Sequence, residues 1–399
     1  MTPTFADIEA AADRIAGRVL RTPAVRSDGL SRATGAEIVL KLDNLQATGA
    51  FKERGAANRL ALLTPAEAAR GVVAMSAGNH AQAVARHAHL LGVQATIVMP
   101  KFTPTTKVTR TAAWGARVVL DGEMLAEAAA HAYHLAESEG LVFIHPYDDP
   151  GIIAGQGTLA LELLQDFPDL DALVVPVGGG GLISGSAVAA LAMKPGIEVL
   201  GVEVETYSAM AQRLAGRPVS VGGSTIAEGI AVRDVGELPV AILREMGIEV
   251  LVVPESTIEQ AIALLAEGAK LVAEGAGAAA LAAVLHYPDR FAGRRIGLPI
   301  CGGNIDARIL ANTLLRNLLR DGRLVRLIME MPDRPGMLGD ISTRIGDEGG
   351  NIIEVAHHRL FTSPTVQAAQ LEIMIEARDA AHGAFIESKL RERYIVRRA

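Results

Sequence analysis

LVVPVGGGGLISG, Leu173 to Gly185, decides the fold. A run of β-branched residues ends in Gly178, Gly179, Gly180 and Gly181, and small and apolar residues of helical character follow from Leu182. This reads as a strand, a tight turn and a helix. Without Cβ atoms, the turn lets backbone N–H groups converge at a helix N-terminus, where an anion is favoured, and a phosphate is the natural occupant. A dinucleotide site is one rival, with Glu198 or Glu203 downstream as the ribose acid. Its G-x-G-x-x-G spacing is not met, because Ile183 or Ser184 falls where the third glycine belongs. Close packing of helix on strand, with no ligand, is the other.

Working outward, the same alternation recurs. Strands are predicted at Gly71–Ser76, Ala95–Met99, Arg117–Leu120, Leu173–Val177, Val199–Val204, Val250–Val253 and Arg295–Ile300. Helices are predicted at Asn79–Leu91, Thr105–Trp114 and Ile305–Arg320. Continuously apolar strands between helices imply parallel sheets covered on both faces, an α/β core. The pattern changes at Asp321-Gly322. Strands at Leu324–Met331, Asn351–Leu360, Val366–Ile375 and Tyr394–Arg397, a turn at Thr362–Pro364, and helices after Pro335 and near Asp379–Leu390 give a βαββαβ order. Residues 1–322 are therefore expected to form a catalytic domain, with a smaller lobe at about 45–145, and residues 323–399 an appended module.

Composition narrows the class. The chain has 399 residues, more than one core usually serves. Its charge of -7 and lack of a basic run argue against nucleic acid or an anionic membrane as partner. The single cysteine, Cys301, excludes a disulfide within the chain. MTPTFADIEAAADRIAGRVLRT reads as an amphipathic helix and not a signal peptide, and the apolar stretch Leu271–Leu285 is too short to span a membrane. A cytoplasmic protein is expected.

Two further clusters carry chemistry. In TGAFKERGAANRL, Thr48 to Leu60, Lys52 stands among small and aromatic neighbours. A lysine in apolar surroundings has a lowered pKa and can form a Schiff base, although from these residues alone an ordinary surface lysine paired with Glu53 or a nearby acid is the stronger reading. In SAGNHAQAVA, Ser76 to Ala85, small residues expose helix N-terminal amides to a ligand carboxylate, and Asn79 offers a two-way hydrogen-bonding group. An ordinary strand-to-helix turn is the alternative. His131 and His134, with Glu127 one turn earlier, read as a solvated helix face, since no further ligand follows at zinc-site spacing.

TGAFKERGA, SAGNHAQ, GGGGL and CGGNID in this order, with HPYDDPGIIAGQGT at His145–Thr158, resemble the fold-type-II pyridoxal-phosphate family, closest to the threonine ammonia-lyases (threonine dehydratases). The resemblance covers about Ala10 to Arg320. DRPGMLGDIS and GGNIIEVAHHR resemble an ACT-type amino-acid-sensing domain. The implied fold is two open parallel-sheet lobes followed by a βαββαβ ACT-like domain. The implied cofactor is pyridoxal 5'-phosphate, with its aldehyde on Lys52, Phe51 packed nearby, Asn79 on the ring hydroxyl and Cys301 against the pyridine nitrogen. Gly178, Gly179, Gly180, Gly181 and Leu182 would cradle the phosphate. Ser76, Ala77, Gly78, Asn79 and His80 would hold the substrate, and Asp333, Gly336 and Asn351 an effector. The family places a cation near Glu203, but the residues around it show no recognisable ligand set, and no metal is assigned.

Two departures from the family stand out: Ala50 where serine is frequent, and Cys301 where a hydroxyl is usual. The implied activity is deaminating dehydration of L-threonine, or of L-serine. Related racemases place a proton-donating serine where this chain has Ala77. The resemblance also implies branched-chain amino-acid effectors and a homo-oligomer. Serine racemase or another 3-hydroxy-amino-acid ammonia-lyase is the near alternative. A nicotinamide-dependent reductase and a non-catalytic amino-acid sensor are the distant ones.

Overall fold

The computed structural model describes residues 1–358 and 368–398. The chain forms two compact units, Met1–Ile305 and Asp306–Ala399. The helix Ala307–Arg320, grouped with the first domain in the sequence reading, counts with the second unit.

The first unit contains two sheets. In the larger, the strands Ala24–Arg26, Glu37–Lys41, Arg295–Pro299, Ala172–Pro176, Glu198–Val204 and Glu249–Val253 lie side by side in that order. All neighbours are parallel except the first pair, an antiparallel edge that the alternation of strand and helix did not announce. The smaller sheet orders Arg117–Leu120, Ala95–Met99, Val72–Met75 and Val142–Phe143, all parallel. Central strands such as Ala172–Pro176 are buried at every position, as a doubly covered sheet requires.

The helices Pro150–Asp166 and Gly181–Met193 pack closely in the core, and glycines make this possible. A Cβ on Gly185 would overlap the Ile153 carbonyl and the backbone of Gly157. Beside them lies an ionic network withdrawn from water. Arg54 Nε donates to Asp43 at 2.6 Å and Arg54 Nη1 to Glu162 at 2.7 Å. Lys41 Nζ donates to Glu162 at 2.6 Å and to the Thr22 carbonyl at 2.6 Å. Lys41, Asp43 and Arg54 are fully buried, so the network ties the strand Glu37–Lys41, the Lys52 helix and the helix Pro150–Asp166 together.

In the second unit the sheet order is Asn351–His358, Ala368–Glu376, Leu324–Pro332, Ile395–Arg398, antiparallel throughout. Helices Met337–Asp347 and Ala380–Arg391 complete the βαββαβ order, over a core that includes Leu327, Met329, Ile341, Ile345, Leu371 and Ile373. The predicted strand ends at 359–360 and 366–367 and the turn Thr362–Pro364 lie outside the described residues. Pro335 does not take the first helical position: Gly336 caps the helix in a left-handed conformation, φ 88°, so Pro335 precedes the cap. Among the described residues no helix is long and apolar enough to cross a membrane.

Candidate active site

Three of the quoted motifs leave the carboxyl ends of parallel strands, where the loops of open α/β sheets gather ligands. Gly178–Gly181 follows Ala172–Pro176, Ser76–Asn79 follows Val72–Met75, and Cys301 follows Arg295–Pro299. The glycine loop is crowded. A Cβ on Gly179 would overlap the Tyr147 ring, one on Gly178 would stand 3.2 Å from the Gly229 carbonyl, and Gly180 has φ +97°. The loop opens onto the first turn of the helix Gly181–Met193, which no side chain caps, and Leu182 is buried just inside it. Tyr147 is anchored there by its hydroxyl, which donates to the Asp234 carbonyl at 2.6 Å.

Backbone pairing brings the Lys52 motif to Cys301. Phe51 N–H donates to the Cys301 carbonyl at 2.9 Å, Gly303 N–H to the Gly49 carbonyl at 2.9 Å, and Ala50 bridges Gly302. Lys52 begins the helix Lys52–Ala61, and its Nζ lies 5.1 Å from the centroid of the Phe51 ring. It donates to the Pro146 carbonyl at 2.8 Å and has no carboxylate partner among the described residues, so the pairing with Glu53 is not made. Glu53 instead accepts from Arg86, His87 and the Thr48 amide. Withdrawal from water pushes Lys52 down to about 8. The buried Cys301 thiol, 3.5 Å from the Ala276 carbonyl, is pushed well above its ordinary value by burial and by the charge of Glu274. It stays neutral across the physiological range.

The turn Ser76–Asn79 is partly exposed, as a ligand-facing turn should be. Ser76 Oγ accepts the Gly78 N–H at 3.1 Å, and no side chain caps the helix Asn79–Leu91. Ala77 carries no proton to give. His80 is buried, with Nε2–H donating to the Ile144 carbonyl at 3.0 Å. Burial and the nearby Lys52 push its pKa down to about 3, so the ring is neutral. Asn79 Nδ2 donates to Glu274 Oε1 at 2.8 Å, and Asn79 Oδ1 accepts from Asn304 Nδ2 at 2.8 Å.

Sequence reading assigned no role to Tyr147, Glu274 or Asn304. Asn304 and Tyr147 sit within motifs already quoted, whereas Glu274 lies in a small-residue stretch that reads only as an apolar helix. The three effector positions lie in the second unit. Asp333 and Gly336 belong to the turn before the helix Met337–Asp347, and Asn351 spends its amide on Glu376 across the sheet at 3.1 Å. His131 lies 2.8 Å from the Asp121 carboxylate, and among the described residues no cluster of three or more acidic, histidine or cysteine side chains could hold a metal ion.

The family model described as pyridoxal-phosphate dependent enzyme matches residues 15–302. The L-threonine ammonia-lyase of Thermotoga maritima is 43% identical over 389 residues, covering 97% of this chain and 97% of that protein. Among solved structures, the T.th. threonine deaminase is 40% identical with a TM-score of 0.72, covering 76% of this chain and 99% of the other. The maize serine racemase is 34% identical with a TM-score of 0.75, covering 80% and 99%.

Proposed function

Because the chain belongs to the pyridoxal-phosphate dependent enzymes, we propose that it is a lyase that converts L-threonine to 2-oxobutanoate and ammonia, and L-serine to pyruvate and ammonia, by β-elimination. The observation that carries the reading is a buried lysine amine that donates to the Pro146 carbonyl, has a depressed pKa and has no acidic partner among the described residues, stitched by backbone pairing to a neutral thiol.

The residues fit the cofactor. The uncapped, Cβ-free turn Gly178–Gly181, with Leu182, suits its phosphate, because converging amides and the helix dipole favour an anion. Lys52 suits its aldehyde, Phe51 packs beside that lysine, Asn79 suits the ring hydroxyl, and Cys301 presents an uncharged group to the ring nitrogen. When bound, pyridoxal phosphate supplies an electron sink that acidifies the substrate Cα–H. Lys52 Nζ, uncharged once freed, takes that proton as general base. The uncapped amides at the start of Asn79–Leu91 and the turn Ser76–Gly78 hold the substrate carboxylate, with the neutral His80 next in the motif. Cys301 cannot supply the counter-charge that would protonate the ring nitrogen, and this favours expulsion of the β-hydroxyl over reprotonation.

Serine racemization is the second reading, raised by the structural likeness to the maize enzyme. Ala77 counts against it, since related racemases resemble this chain but carry a proton-donating serine at that position. The second unit serves as a sensor of branched-chain amino acids at Asp333, Gly336 and Asn351, in a cytoplasmic homo-oligomer. The test is keto-acid release from a panel of 3-hydroxy amino acids, with chiral analysis of residual L-serine. Threonine should react, and Lys52→Ala should abolish both turnover and the borohydride-trappable adduct. D-Serine accumulating faster than pyruvate, or an adduct on another lysine, would refute the reading.

A further inference from the structure

Glu274 lies 195 residues from Asn79 in sequence, yet its carboxylate accepts the Asn79 amide at 2.8 Å. Its neighbourhood is shaped around it. A Cβ on Gly302 would overlap Glu274 Oε1, and one on Gly229 would stand 3.3 Å from the same atom. The first glycine of CGGNID is thus required by the acid. Among the described residues Glu274 makes no ion pair, and the charge of Lys107 offsets its burial only in part. Its pKa is raised to about 7 by withdrawal from water, which the hydrogen bond from Asn79 only partly offsets.

The direction of each hydrogen bond in this chain is determined from both ends. Asn304 Nδ2 donates to the Thr48 carbonyl at 2.7 Å, and a carbonyl can only accept. The same nitrogen donates to Asn79 Oδ1, so Asn79 must turn its Nδ2 the other way. There it meets Glu274, again an acceptor. Neither asparagine can flip without setting a donor against a donor, or an acceptor against an acceptor. Asn79 therefore keeps one N–H after satisfying Glu274.

We propose that Glu274 is the positioning residue of the cofactor-ring site: by accepting one N–H of Asn79 it locks the amide so that the other serves as donor to the ring hydroxyl. This rests on the reading of Asn79 as the residue facing that hydroxyl. Glu274 touches no reacting atom and acts through Asn79. Its loss is felt first in how the ring is held and ionised, and only through that in turnover.

The test uses the full chain stripped of cofactor and titrated with pyridoxal phosphate, comparing wild type, Glu274→Leu and Glu274→Gln. Two readouts are taken: cofactor affinity, and the ratio of the cofactor's two near-ultraviolet and visible absorption bands, which reports ionisation of the ring hydroxyl. Glu274→Leu removes the acceptor and should weaken cofactor binding by about tenfold, the scale of one hydrogen bond to a charged group, with a changed band ratio. Glu274→Gln keeps an acceptor whose orientation Asn79 dictates, and should restore both readouts towards wild type. Should Glu274→Leu not fold, Gly302→Ala displaces the carboxylate instead of removing it and should shift the band ratio in the same direction. Leu and Ala variants matching wild type in both readouts, or a Gln variant as impaired as Leu, would overturn the proposal alone. A wild-type protein that takes up no pyridoxal phosphate on Lys52 would overturn the reading of the site, and this proposal with it.

Discussion

At Cys301, serine and aspartate should have opposite consequences. Serine preserves an uncharged donor of similar size, and Cys301→Ser should retain elimination. Aspartate brings an anion to a place already withdrawn from water and near Glu274, and it is best satisfied by a proton on the facing ring nitrogen. Cys301→Asp should therefore lower the elimination rate by at least about tenfold, about 1.4 kcal/mol of barrier, with more reprotonated or transaminated product. Steady-state rates and product analysis on both variants check this, and an Asp variant as fast as wild type would remove the argument for a neutral ring partner. Of the residues involved, Lys52, Asn79 and Cys301 were legible because each lies in a motif whose order along the chain resembles the pyridoxal-phosphate family. Glu274 was hidden, because nothing local to it distinguishes a functional acid from a surface one.

Two elements owe their placement to buried ionisable groups. Glu203, at 1% exposure, accepts the Met210 and Ala211 amides at 2.8 and 2.9 Å and so anchors the helix Ala209–Leu214. Burial nevertheless raises its pKa from 4.5 to about 8, so the folded state keeps a proton that the unfolded chain gives up. Stability from this group is present below 4.5 and is lost as pH rises towards 8. In chelator-treated protein, urea midpoints should fall across that window and fall less in Glu203→Gln; equal slopes would show that Glu203 is not the titrating group. The network of Lys41, Asp43, Arg54 and Glu162 anchors the Lys52 helix from behind. Asp43→Ala leaves Arg54 buried without its closest partner and should cost about 3 kcal/mol in urea unfolding. A loss under about 1 kcal/mol would mean that the network relaxes around the gap.

Over the whole molecule, the second unit has its own buried core and contributes none of the residues assigned to the cofactor. Its proposed role is regulation, and the prediction is made for the full chain. Isoleucine or valine at about 100 times its Kd should stabilise the protein by about 2.7 kcal/mol, read as a raised unfolding midpoint, and should change the rate of threonine deamination. If neither amino acid moves either quantity, the sensing role fails and a structural role in subunit association replaces it. A size measurement with and without isoleucine shows whether association accompanies the response.

Period and punctuation in the sequence determined the α/β core, the βαββαβ module and the three strand-end loops, because these depend on interactions a few residues apart. Helix Asn79–Leu91 and strand Ala95–Met99 stand where their patterns placed them. The strand Glu37–Lys41 is not among the predicted strands, because its charged ends break the continuous apolar run that the others show. Lys41 is in fact fully buried, and Glu162 and the Thr22 carbonyl, supplied from elsewhere in the chain, help make that tolerable. Tertiary structure alone decided the antiparallel edge, the seat of Tyr147 on the glycine loop and the Asn304–Asn79–Glu274 chain. Each depends on which distant atoms meet and in what orientation, and hydrogen bonds across 195 and 225 residues leave no periodic trace in the sequence.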